Sequence, residues 1–302
     1  MTKRFVSIGE CMIEMSGGED RMYRQGFAGD TLNTAWYARA LLPEGWSVDY
    51  VTAVGDDIYS RDMRGFIAAA GIGTGHVREI AGKRPGLYMI HQADGDRHFT
   101  YWRGQSAAKL VADDPEALAA ALDGATTVYF SGISLAILAP RARGKLMKAI
   151  VAARDKGAEV VFDTNLRPAL WTSPKIMAST LTAAAAIADI VLPTHSDEAP
   201  LFGDASPEAT AERYLRIGAR EVIVKNGAEP ALVATAEAQV FVPAPKAERV
   251  VDATGAGDSF NGGYLSARAR GVAPVEAAKE AHRVAGVVIG HKGALVDMAL
   301  VR

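Results

Sequence analysis

Cysteine is nearly absent from the 302-residue sequence, which contains only Cys11. One thiol cannot form a disulfide within the chain, so the disulfide-stapled extracellular domains are excluded. Cys11 falls in an apolar strand pattern, which indicates a packed side chain rather than a reactive one. We therefore expect a protein of the reducing cytoplasm.

Long hydrophobic runs and an excess of one charge sign are lacking too. The longest uncharged apolar stretch, residues 176–188, is too short to span a bilayer and predicts a buried helix instead. Glu10 and Glu14 interrupt the apolar run near the N-terminus, which is therefore not a signal peptide. The net charge of −2 provides no basic field. Neither a membrane nor nucleic acid is expected as a partner.

The sequence does contain a regular alternation of strand and helix patterns. Residues 127–131, 159–163, 189–192 and 221–225 are short apolar strands separated by helical stretches. This alternation predicts an α/β fold with a doubly wound, mostly parallel sheet flanked by helices. We expect a single α/β domain over residues 1–302.

Segments 12–28 and 86–103 have a different pattern and predict a second, small sheet. The second segment contains two alternating stretches that are joined by an Ala-Asp-Gly-Asp turn at residues 93–96. It carries a dense aromatic and cationic set, which comprises Tyr88, Tyr101, Trp102 and Arg103. These side chains either face a ligand or form an exposed face that packs on another subunit.

The most informative stretch follows an apolar, strand-like run at residues 249–251. Gly255, Ala256 and Gly257 are expected to open a helix, whose first N–H groups have no partner and attract anions. Glycine lets a phosphate approach without meeting a Cβ atom. Asp258 is then placed to accept a proton from a hydroxyl that attacks the phosphate. Its alternative role is that of an ordinary acid in a first helical turn.

Two common nucleotide-binding motifs are missing from this stretch. Phe260 occupies the position of the third glycine in the dinucleotide fingerprint, which disfavours a Rossmann oxidoreductase. A Walker A loop is excluded as well, because no Lys-Ser or Lys-Thr follows the glycines.

Polar clusters follow three successive strands, at residues 163–167, 194–197 and 225–227. The carboxyl ends of parallel strands share one edge of a sheet, where ligands of such folds bind. A further polar group, Gly29-Asp30 with Asn33, leads into the first helix. There Asp30 is either the cap of that helix or a ligand contact.

Residues 252–258, Asp-Ala-Thr-Gly-Ala-Gly-Asp, resemble the C-terminal motif of the ribokinase-like (PfkB) carbohydrate kinases. The resemblance extends from Gly9 to Gly293, and Ala253 stands where the family commonly has Thr. It implies a ribokinase-like fold whose small sheet is a lid formed by segments 12–28 and 86–103. It also implies Asp258 as the catalytic base, with the amides of Gly255, Ala256 and Gly257 as an anion hole.

The resemblance further implies ATP and Mg²⁺ as cofactors. The positions that match ATP contacts in the family are Asn165, Thr194, Lys225, Asn226, Gly227, Gly255 and Gly257. The family's Asn-x-x-Glu motif is degenerate here as Thr194-x-x-Asp197, so that Asp197 is the candidate contact to Mg²⁺, directly or through water. Gly293-Ala294 matches a position near a monovalent-cation region, which makes K⁺ a further candidate.

A narrower resemblance is to the branch of bacterial kinases that phosphorylate the primary C6 hydroxyl of 2-dehydro-3-deoxygluconate. Pro85-Gly-Leu-Tyr88, Tyr101-Trp-Arg103 and residues 162–171 carry it. The positions implied in binding of the sugar acid are Gly29, Asp30, Asn33, Tyr88, Tyr101, Arg103, Arg167 and Asp258. A homodimer through the lid is implied as well.

Two arginines at sugar-site positions, Arg103 and Arg167, favour a sugar acid, because guanidinium pairs with carboxylate. Arg167 has the alternative role of binding ATP phosphate. A ribokinase- or fructokinase-type enzyme for a neutral sugar is the alternative of the same class. A non-catalytic sensor of nucleotide or sugar belongs to another class, and Asp258 argues against it because a sensor needs no base.

Overall fold

The structure, a computed structural model, describes residues 2–17, 22–93, 96–247 and 249–302. In chain order the strands are β1 (Lys3–Ile8), β2 (Met12–Gly17), β3 (Tyr23–Ala28), β4 (Trp46–Val54), β5 (Val77–Glu79), β6 (Gly86–Ala93), β7 (Asp96–Trp102), β8 (Thr127–Ser131), β9 (Glu159–Asp163), β10 (Ile190–Val191), β11 (Glu221–Val224), β12 (Ala231–Thr235) and β13 (Gln239–Val242). The α-helices are α1 (Asp30–Leu41), α2 (Ile58–Ala69), α3 (Pro115–Leu122), α4 (Gly132–Ala136), α5 (Pro140–Asp155), α6 (Pro174–Ala185), α7 (His195–Phe202), α8 (Pro207–Ile217), α9 (Ala256–Ala269) and α10 (Pro274–Ile289).

Nine strands of the described residues form the large sheet, in the order β13-β12-β11-β10-β9-β8-β1-β4-β5. All neighbours from β11 to β5 pair in parallel, whereas β12 and β13 add an antiparallel edge. Every residue of β8 and β11 is buried, as expected for parallel strands that are covered on both faces. The predicted doubly wound, mostly parallel α/β fold is confirmed.

Successive side chains of a central strand pack on opposite faces of the large sheet. Val160 and Phe162 of β9 join the core under α5, α6 and α8, whereas Val161 joins the core under α1, α2, α9 and α10. This alternation is the period of two that a pleated strand imposes. The helices therefore form a layer on each face and leave the carboxyl ends of the strands accessible.

The small sheet has the order β3-β2-β6-β7, with β2 and β6 parallel and the two outer pairs antiparallel. The prediction of a second sheet from segments 12–28 and 86–103 is confirmed. The predicted turn at residues 93–96 includes residues 94–95, and these lie outside the described residues, as do residues 18–21 of the first segment. That residues 1–302 form a single domain stays a prediction.

Two local predictions were wrong. The run at residues 249–251 is not a strand: the amides of Val251 and Asp252 donate to the carbonyl of Ile289, and Val250 is 66% exposed. The stretch 176–188 is helical only as far as Ala185 of α6, and this helix is buried on one face only, with Ile176 44% exposed. Within the described ranges, the helices are all too short or too polar to cross a membrane.

Candidate active site

Gly255 is the residue before α9, and two constraints require glycine there. Its φ of 77° lies in the left-handed region, which side chains with a Cβ atom rarely adopt. A Cβ atom at this position would also lie 2.8 Å from the backbone of Ala294. The close approach fixes the start of α9 against the segment near residue 294.

The first turn of α9 presents its amides to the site. The N–H of Ala256 donates to the carbonyl of Ala253 at 3.2 Å, so this amide already has a partner within the turn. The N–H groups of Gly257 and Asp258 belong to the turn in which no intrahelical acceptor is available. The predicted anion hole therefore rests on these two amides more than on that of Ala256.

Asp258 is partly buried in the first turn of α9, where its carboxylate accepts a hydrogen bond of 2.8 Å from the side chain of Asn33. Burial and then the negative charge of Asp30 raise the pKa of Asp258 from 3.8 to about 7. The carboxylate of Asp163 adds to the rise, whereas Asn33 and Lys225 oppose it. A carboxyl group with a pKa near neutrality is suited to accept a proton from a hydroxyl.

Asp30 is the first residue of α1, and Gly29 is the residue that caps this helix, so the alternative of Asp30 as N-cap was wrong. The Asp30 carboxylate instead accepts from the hydroxyl of Ser131 at 2.5 Å and from the side-chain amide of Asn165 at 2.8 Å. Its burial raises the pKa of Asp30. A Cβ atom on Gly29 would lie 2.1 Å from the carbonyl oxygen of Glu10, which explains the glycine.

Lys225 follows β11 and is held by two buried groups. Its Nζ donates to Asp163 Oδ1 at 3.2 Å and to Asn261 Oδ1 at 3.3 Å, and Asn261 Nδ2 donates to Asp163 Oδ2 at 2.7 Å. A Cβ atom on Gly257 would lie 3.8 Å from Lys225 Nζ. The ammonium group is therefore fixed beside the first turn of α9.

Arg167 and Asp197 lie on another side of the site. Arg167 Nη1 is 3.6 Å from Asp197 Oδ2, and the arginine side chain is 52% exposed. Burial raises the pKa of Asp197, whereas Arg167 and Lys225 oppose the rise. Thr194 caps α7 at its N-terminus without a side-chain hydrogen bond to the helix. In the described part of the chain, no cluster of three or more His, Cys, Asp or Glu side chains could hold a metal ion.

The small sheet supplies the opposite wall. The phenol of Tyr88 donates to the carboxylate of Glu14, and the ring of Tyr101 packs against that of Tyr88 at a tilt of 34°, with ring centroids 5.7 Å apart. Arg103 forms an ion pair with Glu10, which follows β1 of the large sheet. The guanidinium group also lies 5.9 Å from the ring centroid of Tyr101.

A cavity of about 860 Å³ lies between the two sheets, within the range of ligand sites. The predicted residues that line it are Gly29, Asp30, Asn33, Tyr88, Tyr101, Arg103, Asn165, Arg167, Thr194, Asp197, Lys225, Gly255, Ala256, Gly257 and Asp258. Asn226 and Gly227 are not in its lining and form a turn in which Glu229 N–H donates to the Asn226 carbonyl at 3.1 Å. Their contact to ATP stays a prediction.

Comparison with known proteins supplies the family. The model of the pfkB family carbohydrate kinases matches residues 2–299. The chain belongs to this family. It is similar to a 2-dehydro-3-deoxygluconokinase of Dickeya dadantii, at 41% identity over 98% of both chains. An aminoimidazole riboside kinase of Salmonella typhimurium is 29% identical, over 96% of this chain and 90% of the other. A fructokinase structure from Xylella fastidiosa with bound ATP has a TM-score of 0.86 at 24% identity and covers 99% and 95% of the chains.

In this carbohydrate kinase, sequence reasoning assigned no individual role to Glu10, Asp163 and Asn261. Glu10 and Asp163 line the cavity, and Asn261 holds Lys225 from within α9. Each of them carries a weak signal, because Glu10 and Asp163 follow or end apolar strands and Asn261 lies one helical turn after Asp258. The apolar cavity residues without a predicted role are Met12, Phe99, Ile133, Ala169, Leu170 and Ala253.

Proposed function

We propose that this chain transfers the γ-phosphoryl group of ATP to the C6 hydroxyl of 2-dehydro-3-deoxy-D-gluconate and forms 2-dehydro-3-deoxy-6-phosphogluconate. The observation that carries the proposal is the position of Asp258, a partly buried carboxyl group held by Asn33 at the amide-lined start of α9, where its pKa is raised to about 7. The substrate is supported by the similarity to relatives. The 2-dehydro-3-deoxygluconokinase of Dickeya dadantii is 41% identical to this chain, whereas the aminoimidazole riboside kinase is only 29% identical.

In the proposed mechanism Asp258 accepts the proton of the C6 hydroxyl as the hydroxyl oxygen attacks the γ-phosphorus in line, and the bond from this phosphorus to the β,γ-bridging oxygen breaks to release ADP. Asn33 donates to one carboxylate oxygen at 2.8 Å and thereby orients the carboxylate. General-base catalysis of this kind contributes roughly 10²–10⁴ in rate. The residue lies on a rigid element, so its position does not depend on a mobile loop.

Negative charge on the transferring group is stabilised by the N–H groups of Gly257 and Asp258 and by Lys225. The ammonium of Lys225 is already oriented by Asp163 and Asn261, so little reorganisation is needed during the reaction. Because Gly257 has no Cβ atom, a phosphate can approach both the amides and the ammonium.

These groups fit ATP with Mg²⁺, which neutralises phosphate charge when bound. The N–H groups of Gly257 and Asp258 together with Lys225 form a phosphate cradle. Oxygen donors near it come from Asn165, Thr194 and Asp197, and these three do not form a three-carboxylate cage. Mg²⁺ is commonly held by one or two carboxylates together with substrate phosphates, so the ion is expected to arrive with the nucleotide. Asp197 is our candidate for its protein contact. We also retain K⁺, near Gly293-Ala294, as a proposed activator.

The charge of the substrate is matched by two arginines. Arg103 has one nitrogen engaged by Glu10, which leaves other N–H groups of the guanidinium for the sugar acid. Arg167 is half-exposed, and its Nη1 donates to the Leu166 carbonyl at 2.6 Å and lies 3.6 Å from Asp197, which leaves other N–H groups of the guanidinium for a carboxylate. A neutral sugar would leave both positive charges without a ligand partner, which disfavours ribose and fructose.

We further propose that the small sheet, segments 12–28 and 86–103, closes over the substrate and forms the contact of a homodimer. Tyr101 and Trp102 are 50% and 56% exposed on β7, which is an edge strand of this sheet. With its single thiol buried, the chain is also suited to the reducing cytoplasm, which we propose as its location.

The test is an ATP-turnover assay over 2-dehydro-3-deoxygluconate, its C4 epimer, gluconate, fructose and ribose. We expect kcat/KM for the keto-acid to exceed the values for neutral sugars by orders of magnitude. Phosphorus and carbon NMR of the product should locate the phosphate on C6. Asp258→Asn, purified in parallel, controls for contaminating kinases. Equal kcat/KM values for acid and neutral sugars would reject the sugar-acid substrate and leave a general sugar kinase.

A further inference from the structure

Two buried polar atoms in the cavity wall have no hydrogen-bond partner among the described residues. They are Oε1 of Glu10 and Nε of Arg103. No other described residue that lines the cavity carries such an atom. A buried polar group without a partner is costly, and in native proteins it is usually completed by a ligand or an ordered water.

The two atoms belong to one ion pair. Arg103 Nη2 donates to Glu10 Oε2, while the neighbouring Nε–H and the second carboxylate oxygen remain open. The side chains are 13% and 2% exposed, so bulk water does not complete them. The pair therefore forms one bond of the two that arginine and carboxylate commonly make together.

A second Glu–Arg pair of the same chain makes both bonds. Arg268 Nε donates to Glu221 Oε1 at 3.2 Å and Nη2 donates to Glu221 Oε2 at 3.0 Å. Glu221 begins β11, so this pair lies at the end of the large sheet opposite the cavity. The buried pair of Glu198 and Arg213, outside the cavity, also leaves Glu198 Oε1 and Arg213 Nη1 without a hydrogen-bond partner, so what distinguishes Glu10 and Arg103 is their place in the cavity wall.

The backbone also limits movement of Glu10. Its carbonyl oxygen is so close to Gly29 that a Cβ atom there would lie 2.1 Å away. On the other side, a Cβ atom on Gly86 would lie 2.8 Å from Glu10 Oε1. Glycines at both positions let the large sheet and the small sheet approach around this carboxylate, which is thereby held at their junction.

An open donor beside an open acceptor selects the chemistry of its ligand. A hydroxyl can accept from Nε–H and donate to Oε1 at the same time. A carboxylate only accepts and would be repelled by Oε1, whereas an ammonium only donates. The substrate of the proposed function, on which this inference rests, has secondary hydroxyls at C4 and C5 besides the C6 hydroxyl that is phosphorylated.

We propose that Glu10 is a specificity-determining residue, which together with Arg103 binds one secondary hydroxyl of the sugar acid. Oε2 fixes the guanidinium, and Oε1 and Nε take the hydroxyl. The remaining N–H groups of Arg103 stay available to the substrate carboxylate. Glu10 thus distinguishes substrates by a hydroxyl, and the arginines distinguish them by charge.

The first measurement uses Glu10→Gln, which keeps the shape and removes the charge. The KM of the sugar acid should rise roughly 10- to 100-fold, the effect of losing a hydrogen bond to a charged group. The kcat and the KM of ATP should stay within a few-fold, because Asp258 and the phosphate cradle are untouched. Glu221→Gln is the matched control: it opens a buried Glu–Arg pair and should lower the melting temperature without changing the KM of the sugar acid.

The decisive measurement combines the variant with 4-deoxy and 5-deoxy analogues of the substrate. In the wild type, the analogue without the recognised hydroxyl should lose about as much kcat/KM as Glu10→Gln does. In Glu10→Gln, the kcat/KM of this analogue should be little lower than that of the full substrate. The other analogue should lower kcat/KM by the same factor in the variant and in the wild type. If both analogues lose equal factors in the variant and the wild type, Glu10 binds neither hydroxyl and the inference is refuted.

Failure of the variant to fold and failure of the proposed function can each be distinguished from failure of this inference. If Glu10→Gln does not fold, Glu10→Asp replaces it, since it keeps the charge and withdraws the carboxylate by one methylene; the same coupling is expected. If the wild type does not phosphorylate the sugar acid, the proposed function fails. Glu10 is then tested on the deoxy forms of the sugar that is phosphorylated, where coupling supports the hydroxyl site and its absence refutes it.

Discussion

Replacing Asp258 with Asn should abolish most of the activity and at the same time stabilise the fold at neutral pH. The substitution keeps the shape of the side chain and its ability to accept the 2.8 Å hydrogen bond from Asn33. It removes the negative charge that is buried next to Asp30 and Asp163. The base is lost with the charge, so kcat should fall by about 10²–10⁴.

The size of the stabilisation follows from the pKa. Folding raises the pKa of Asp258 from 3.8 to about 7, so the folded protein holds this proton more tightly than the unfolded chain. The wild type therefore loses stability as the pH rises through that interval, and below about pH 4 the loss is absent. A rise of about three in pKa corresponds to an upper limit of roughly 4 kcal/mol above pH 7.

The assay is chemical denaturation of both proteins at pH 4.5, 6 and 8, together with steady-state kinetics at pH 8. The stability difference in favour of the variant should be small at pH 4.5 and should grow towards pH 8. Asp123→Asn is the control, because the pKa of this exposed carboxyl is held low by Lys156. Its effect on stability should not change over the same interval.

Two results would contradict this reasoning. Turnover of Asp258→Asn within a few-fold of the wild type would show that Asp258 is not the base. If the difference in unfolding free energy between the variant and the wild type is the same at pH 4.5 and 8, the charge of Asp258 does not destabilise the folded protein. The two conclusions are independent, since kinetics tests the role and denaturation tests the environment.

The remaining predictions concern the phosphate cradle, the pH profile and the small sheet. Gly257→Ala should fold normally, because the nearest atom to the new methyl is Lys225 Nζ at 3.8 Å, but kcat should collapse because the methyl stands where phosphate must approach. The wild type should show an acidic limb in kcat/KM near pH 7, and Asp30→Asn should move it to lower pH by removing a charge that raises the pKa of Asp258. Trp102→Asp should dissociate the proposed dimer in light scattering, since Trp102 is 56% exposed on an edge strand.

Each of these has an outcome that refutes it. A folded and fully active Gly257→Ala enzyme would remove the argument for a backbone cradle, with circular dichroism as the test of folding. An acidic limb that does not move in Asp30→Asn would show that the two carboxylates are not coupled in solution. A wild type that is monomeric at all working concentrations would refute the dimer.

The large sheet and the start of α9 could be predicted because both depend on local patterns. Strand and helix periods alternate along the chain, and the glycines before Asp258 permit a backbone that other residues do not. The false strand at residues 249–251 shows the limit of such patterns. Its apolar residues are the same as those of a strand, but the segment hydrogen-bonds to the end of α10 rather than to the sheet.

The contacts that complete the site could not be predicted, because they depend on how distant elements pack. Glu10 and Arg103 are 93 residues apart: Glu10 lies in the link between β1 of the large sheet and β2 of the small one, and Arg103 directly follows β7. Asn261 is informative only once β9 and β11 bring Asp163 and Lys225 next to α9. In the sequence each of these residues is a single polar side chain with no periodic partner.

The charges in the cavity decide how an anionic sugar is selected. Among the residues that the structure describes, five acids and three bases line it, namely Glu10, Asp30, Asp163, Asp197 and Asp258 against Arg103, Arg167 and Lys225. The excess of carboxylates raises the pKa of Asp258 and provides no positive field to attract an anion over distance. Selection must then come from direct hydrogen bonds of the arginines, which salt screens little. Raising tetramethylammonium chloride from about 0.01 to about 0.15 M shortens the Debye length from about 30 to about 8 Å. The KM of the sugar acid should stay constant or fall slightly over this range. A KM that rises steeply over this range would show that a long-range field, and not the contacts of Arg103 and Arg167, selects the acid.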